Sequence, residues 1–233
     1  MTTERFEIDV TATPNQVWER LTTADGIASW FGTDASIELE VGGARAVRWG
    51  DAEQMDAVVT DIDAPRRLRL AYLADGAELG AEEWLISQGD TTTRVTLITS
   101  MPPGDADDWD GFVGDVRRGW RLFLASLRFG LTGAAQPDRI AVCRYLPATG
   151  PRQAIWDAVQ QFLDSSGLVE HLEPALLDPP HSRLLVAADR SLVIDAEGRG
   201  DTQVLYAQAA THRGPDAWRV AVLDGIAGAL AEH

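Results

Sequence analysis

The chain contains no lysine, and all 20 of its basic residues are arginine against 36 aspartates and glutamates, for a formal charge of −16. Counting up to Gly133 gives 12 arginines and 23 acids; after it the count is 8 and 13, so both halves are acidic. There is no basic run, so a phosphate backbone would be repelled and a nucleic-acid partner is not expected. An anionic membrane surface is disfavoured for the same reason. A charge of this size chiefly keeps a protein soluble. Cys143 is the single cysteine, which excludes a disulfide framework and a cysteine-based metal site. It lies in the strand-like "RIAVCRYL" and reads as a buried structural thiol rather than a nucleophile. No run approaches the eighteen or so apolar residues of a membrane span. The opening "MTTERFEIDV" is charged from the start and has no apolar signal core, so a cytoplasmic location is expected.

Histidine is scarce as well. His171, His181, His212 and His233 all fall in the second part of the chain, so no Ser-His-Asp set can be assembled in the first, and surface or structural roles are expected for them. Glycine-rich phosphate loops are missing: "GLTGAAQ" and "GGAR" lack the strand-turn-helix context such a loop needs. The acidic run "DADDWDG" fails as a calcium loop. Counted from Asp105, Trp109 falls at the fifth position and Val116 at the twelfth, where oxygen ligands are required. The run reads instead as the N-terminus of a helix, where Asp105, Asp107, Asp108 and Asp110 complement the helix dipole. Neither a metal nor a cofactor is expected.

What the sequence does have is pattern. With 45% aliphatic and aromatic residues it can bury a core, and 233 residues suit two domains. Phe6, Ile8 and Val10 alternate with Arg5, Glu7 and Asp9, predicting a first strand over 4–10. Thr13-Pro14 suits an N-cap followed by the first helical position, and Val17, Trp18 and Leu21 form an apolar stripe with Trp18 as its anchor. "ADGIASWFG" predicts a second short helix ending at Trp30–Phe31. Six further strands follow as hairpins: "ASIELEV" with "ARAVRWG", "QMDAVVTDID" with "APRRLRLAYL", and "AELGAEEWLIS" with "TTRVTLITS". Then Trp109, Phe112, Val113, Val116, Trp120, Phe123, Leu124, Leu127 and Leu131 recur at helical spacing, the strongest periodic signal in the chain. "LTGAAQPD" reads as a linker. Beyond it the pattern recurs in shortened form. "RIAVCRYL" parallels the first strand, and "TGPRQAIWDAVQQFL" with Trp156 parallels "TATPNQVWERL". "SLVIDAEGRGDTQVLYAQAAT" parallels the last hairpin, and "PDAWRVAVLDGIAGAL" with Trp218 is a closing helix. The middle strands of the first copy have no evident match, so a degenerate repeat stands beside two unrelated α+β units.

A curved antiparallel sheet needs one face covered, and one long apolar-striped helix can do so while the short helices close an end. On the residues "ERFEIDVTATPNQVWERLT", "IASWFG", "EEWLIS…GDTTTRVTLITS" and "GWRLFLASL", the chain up to about Leu131 resembles the START-like (SRPBCC) superfamily. It is most similar to the branch of the C-terminal domain of the heat-shock protein 90 ATPase activator. The resemblance implies an α+β helix-grip fold around a hydrophobic cavity. It puts a START-like domain at 1–132, a linker at 133–138 and a smaller degenerate unit at 139–233.

Fold alone does not choose a function. Trp30, Phe31, Trp49 and Trp84 either line a cavity and stack on a flat ligand or simply fill the cup, with Met55 and Phe123 as further lining residues. Trp18 and Trp120 read as packing. Tyr72 shares a face with Leu68 and Leu70, where its hydroxyl orients a ligand or it is a core tyrosine. Trp84 is the inward residue of its strand, which turns Glu83 outward and sets Glu82 near the strand end; Glu82 is a candidate acid or base. Three functions follow, in this order: binding of a small hydrophobic or aromatic molecule for carriage, sensing or sequestration; a protein-interaction module like the chaperone activator, with homodimerisation plausible; and polyketide cyclase or aromatase chemistry using Tyr72 and Glu82.

Overall fold

The computed structural model describes residues 2–50, 53–101, 109–132, 140–187, 190–199, 202–211 and 217–231, side chains excepted at 53, 109–112, 132, 140, 198 and 199. The predicted linker 133–138, the acidic positions 105, 107 and 108 with the side chain of residue 110, the side chains of residues 109 and 112, and the histidines at 212 and 233 lie outside what is described. The chain divides into two compact units, Met1–Ala135 and Gln136–His233. Among the described residues no helix is long and apolar enough to cross a membrane.

The first unit opens with β1 (Thr2–Val10), α1 (Pro14–Thr22) and α2 (Ala24–Ala28). Thr13 starts α1 with a full capping box: its hydroxyl accepts from the Gln16 backbone N–H while the Gln16 side chain accepts from the Thr13 N–H at 2.9 Å. Pro14 takes the first helical position, where its missing N–H costs nothing. Val17 and Leu21 are the buried residues of the stripe and anchor the helix. Trp18 is only half-buried, because one step along a helix turns a side chain about 100°, which leaves it about 80° from the centre of the face set by Val17 and Leu21.

Six strands follow: β2 (Asp34–Ile37), β3 (Ala44–Trp49), β4 (Glu53–Asp63), β5 (Arg67–Ala74), β6 (Ala77–Gln88) and β7 (Thr93–Met101), then the long α3 (Trp109–Thr132). All pairs are antiparallel and the sheet order is β1-β7-β6-β5-β4-β3-β2. Consecutive strands therefore walk back as a meander from β2 to β7, which closes beside β1. The α1–α2 segment carries the chain from one edge of the sheet to the other. Period-two alternation sends Leu68, Leu70, Trp84, Ile86, Val95 and Leu97 to one buried face. The apolar stripe of α3 covers that face, with Leu122, Leu124 and Leu127 buried. This is the helix-grip arrangement.

The second unit repeats it in five strands: β8 (Ile140–Thr149), α4 (Arg152–Ser166), β9 (Glu173–Asp178), β10 (Ser182–Ala187), β11 (Arg190–Arg199), β12 (Thr202–Thr211) and α5 (Ala217–Ala231). Its sheet order, β8-β12-β11-β10-β9, again places the first strand beside the last. The sequence pattern missed β9 and β10, whose "EPALLD" and "SRLLVA" carry little alternation; of the middle strands, two are absent relative to the first unit. Trp156 and Trp218 join an apolar core with Val159, Leu163, Leu192 and Leu205. Cys143 is buried on β8. His171 is exposed, and His181 sits in the β9–β10 turn against the Arg152 guanidinium.

Candidate ligand site on the inner face of the first sheet

Most of the proposed lining residues meet in one aromatic set. The turn after α2 delivers Trp30 and Phe31 to the inner face, where the Trp30 indole donates to the Arg20 carbonyl at 3.0 Å and so ties the turn to α1. Phe31 is the hub. It stacks on Trp30 at 5.0 Å and on Trp120 at 5.3 Å between centroids, and takes Trp49 and Phe123 edge-on at 4.9 and 4.7 Å. Trp84 meets Trp30 and Trp120 edge-on at 5.7 and 5.9 Å. These separations are those of favourable aromatic pairs. Trp120 therefore belongs to the set and is not packing apart from it; the sequence showed its helical stripe but not which ring it would face.

Burial is uneven across the set. Trp30, Phe31, Trp49 and Trp84 are buried, whereas Trp120 and Phe123 on α3 remain partly exposed. Met55 pairs with Val47 across β3 and β4, which puts it on the same face, and it too is half-buried. Tyr72 is half-buried and does not join the rings; it belongs to a polar cluster beside them.

That cluster is the part sequence reasoning did not assemble. Arg45, on β3 at the same parity as Val47 and Trp49, is 4% exposed; Glu82, on β6 at the same parity as Trp84, is 1% exposed. Glu82 is thus mid-strand and inward, not near the strand end as expected, because β6 begins five residues earlier at Ala77. The two form a bidentate ion pair: Nη1 to Oε2 at 3.0 Å and Nη2 to Oε1 at 3.2 Å. The Tyr72 hydroxyl donates to Glu82 Oε1 and accepts from Arg45 Nη2 at 3.1 Å. The Trp84 indole donates to Glu82 Oε2 at 3.2 Å. The Arg45 guanidinium lies 6.0 Å from the centroid of Phe31, which joins the polar cluster to the rings. Three buried polar atoms at this place have no hydrogen-bond partner among the described residues: Arg45 Nε, Trp49 Nε1 and Thr99 Oγ1. Thr99 stands opposite Glu82 across β6 and β7. One signal for Arg45 was present in the sequence. In "ARAVRW" an arginine occupies the inward parity of a strand, and an inward charge requires an inward partner.

At the periphery, Arg117 of α3 forks onto Glu4 of β1, with Nη2 2.7 Å and Nε 3.0 Å from its carboxylate oxygens. That hydrogen-bonded guanidinium holds the Glu4 carboxyl below the usual glutamate range. No group of three or more histidines, cysteines or acids among the described residues is placed to hold a metal.

No curated protein matches the sequence. The solution structure of the Aha1 dimer from Colwellia psychrerythraea is similar at 21% identity, over 56% of this chain and 96% of its own, with a TM-score of 0.49. The crystal structure of DynU16, from the dynemicin biosynthetic locus, is similar at 18% identity over 98% of this chain and 96% of its own, with a TM-score of 0.47. CalU16 from Micromonospora echinospora is similar at 20% identity over 55% of this chain and 72% of its own, with a TM-score of 0.44. The family model described as activator of Hsp90 ATPase homolog 1-like protein matches residues 11–129, a span that runs from the N-cap of α1 through the rings of α3. The chain belongs to the family of activator of Hsp90 ATPase homolog 1-like proteins.

Proposed function

We propose that the first unit binds a small, flat hydrophobic molecule against the aromatic set between the sheet and α3. The observation that carries this is the unequal burial of the set: a fixed base of Trp30, Phe31, Trp49 and Trp84, and a partly exposed edge of Trp120, Phe123 and Met55, with Tyr72 half-buried beside it. Rings held at one end and open at the other offer a stacking surface that a purely structural core would have closed. The core of the second unit packs Trp156 and Trp218 among aliphatic side chains such as Val159, Leu163, Leu192 and Leu205. Carriage, sensing and sequestration are all uses of such a stacking surface. N-phenyl-1-naphthylamine, a neutral flat probe, is expected to brighten on mixing with the chain, to quench tryptophan emission and to raise the melting temperature. Trp120→Ala and Phe123→Ala are expected to weaken all three effects. A probe that leaves emission and melting unchanged removes the reading.

The Tyr72–Glu82 contact favours a second reading, in which the half-buried Tyr72 swings its single O–H from the Glu82 carboxylate to a reacting carbonyl. Turnover of a poly-β-keto substrate by wild type, lost in Tyr72→Phe, would support it. Family membership supports a third, a chaperone-binding module acting alone or as a homodimer. A pull-down that retains heat-shock protein 90 would favour that one.

A further inference from the structure

The polar cluster is balanced in charge but not in hydrogen bonds. Two guanidinium nitrogens, the Tyr72 hydroxyl and the Trp84 indole all donate to Glu82. Four donors fill the capacity of a carboxylate, which offers about four acceptor sites. What remains unsatisfied is donors: Arg45 Nε–H and Trp49 Nε1–H, on residues 4% and 6% exposed, together with the Thr99 hydroxyl. Buried N–H groups without an acceptor are rare in folded proteins. Here both residues flank Phe31, the hub of the rings, with Arg45 Cζ 6.0 Å and the Trp49 ring 4.9 Å from its centroid.

We propose that these donors receive an uncharged oxygen acceptor, a ketone or quinone carbonyl carried on the flat apolar skeleton, and that the site rejects carboxylates. The proposal rests on the reading of the aromatic set as a ligand site and specifies its ligand class. Charge decides it. Guanidinium and carboxylate cancel, so the buried site has no net charge to offer an ion. A ligand carboxylate would bring an uncompensated negative charge beside Glu82 in a low-dielectric interior. A ligand ammonium would find the acceptor sites of Glu82 already taken. A carbonyl needs no counter-charge, and its lone pairs accept from N–H groups that no protein acceptor meets; these atoms have no accessible surface, so neighbouring side chains must shift to admit it.

Three probes on one ring system test this by titration of tryptophan emission in the full-length chain: 2-acetylnaphthalene, 2-methylnaphthalene and 2-naphthoate. The ketone is expected to bind about tenfold more tightly than the methyl compound, the worth of one well-placed hydrogen bond. The naphthoate should bind most weakly. Glu82→Gln removes the counter-charge of Arg45 and is expected to invert the order, making 2-naphthoate the tightest of the three. Trp49→Phe removes one donor without altering charge; the smaller ring weakens both probes, and the ratio of ketone to methyl-compound affinity within the variant should fall toward one. If Glu82→Gln does not fold, the wild-type series and Trp49→Phe still decide. Equal binding of ketone and methyl compound, or naphthoate as the tightest wild-type ligand, overturns the proposal and leaves the aromatic site standing. Binding of none of the three overturns both.

Discussion

Cutting the Arg45–Glu82 pair from either side should destabilise the first unit far more than removing it whole. In Arg45→Met the Glu82 carboxylate stays buried with only Tyr72 and Trp84 as donors; in Glu82→Leu the guanidinium keeps one bond, to Tyr72. Breaking a buried ion pair from one side costs about 3–5 kcal/mol, because a lone charge stays in a low-dielectric interior. Glu82→Leu also strands the Trp84 indole donor, which adds about 1 kcal/mol. The double variant removes both charges together. Exchanging a buried pair for apolar residues of similar volume is near neutral, so it should cost about 0–2 kcal/mol, less than either single change. The coupling between the two sites is then several kcal/mol, the double variant costing far less than the sum of the singles. Urea unfolding followed by tryptophan emission reads this directly, since six of the eight tryptophans lie in the first unit. A double variant as unstable as the sum of the singles, or singles within about 1 kcal/mol of wild type, would refute the reasoning.

Two further changes probe the frame that holds the rings. Gly32 has φ +87°, and a Cβ there would stand 2.6 Å from both the Arg48 carbonyl oxygen and Val47 Cγ1; Gly32→Ala should cost about 2 kcal/mol or more in urea unfolding and loosen the adjacent Phe31, with weaker probe binding as the second readout. The carboxyl of Glu4 has its pKa lowered by its hydrogen bond to Arg117, so its contribution is present above the unfolded glutamate value of about 4.3 and is lost as pH falls through the lower folded value. Glu4→Gln should therefore cost about 0.5 kcal/mol at pH 7, the scale of a solvent-screened pair, and the cost should shrink steadily as pH falls below the unfolded glutamate value, as measured by urea unfolding across that range.

The features most legible in the sequence are those set by short-range rules. Thr13-Pro14 with Gln16 makes the capping box of α1 because all three residues act within one turn. The seven strands follow from alternation and turn residues, and α3 from the spacing of its apolar positions. Trp30, Phe31, Trp49, Trp84 and Phe123 could be selected as inward or stripe residues and do meet, since parity and helical phase decide inwardness locally. Which rings touch is decided by tertiary packing, and so Trp120 was set apart from a set it belongs to. The Arg45–Glu82 pair spans 37 residues of sequence and joins strands that are not neighbours in the sheet. Each residue's parity was readable; their meeting depends on the curl of a sheet whose intervening strands, β4 and β5, offer no sign of it.

The shortening of the second unit explains why the ligand reading attaches to the first alone. Aligned from the strand that pairs with the last one, β8-β12-β11-β10-β9 matches β1-β7-β6-β5-β4, and the strands without a counterpart are β3 and β2. β3 brings Arg45, Val47 and Trp49 to the inner face. The segment between α4 and β9 has no helix corresponding to α2, so there is no counterpart of the turn that delivers Trp30 and Phe31. The contiguous stretch from α2 to β3, which has no counterpart in the second unit, is the one that carries the cation, one unpartnered donor and the hub ring. The second unit buries its own polar groups elsewhere, Asp195 on β11 and Arg219 on α5, the latter donating to the Thr211 hydroxyl at 3.1 Å. In this chain the proposed site draws on β3 and the turn after α2, and the five-stranded unit keeps the grip without either.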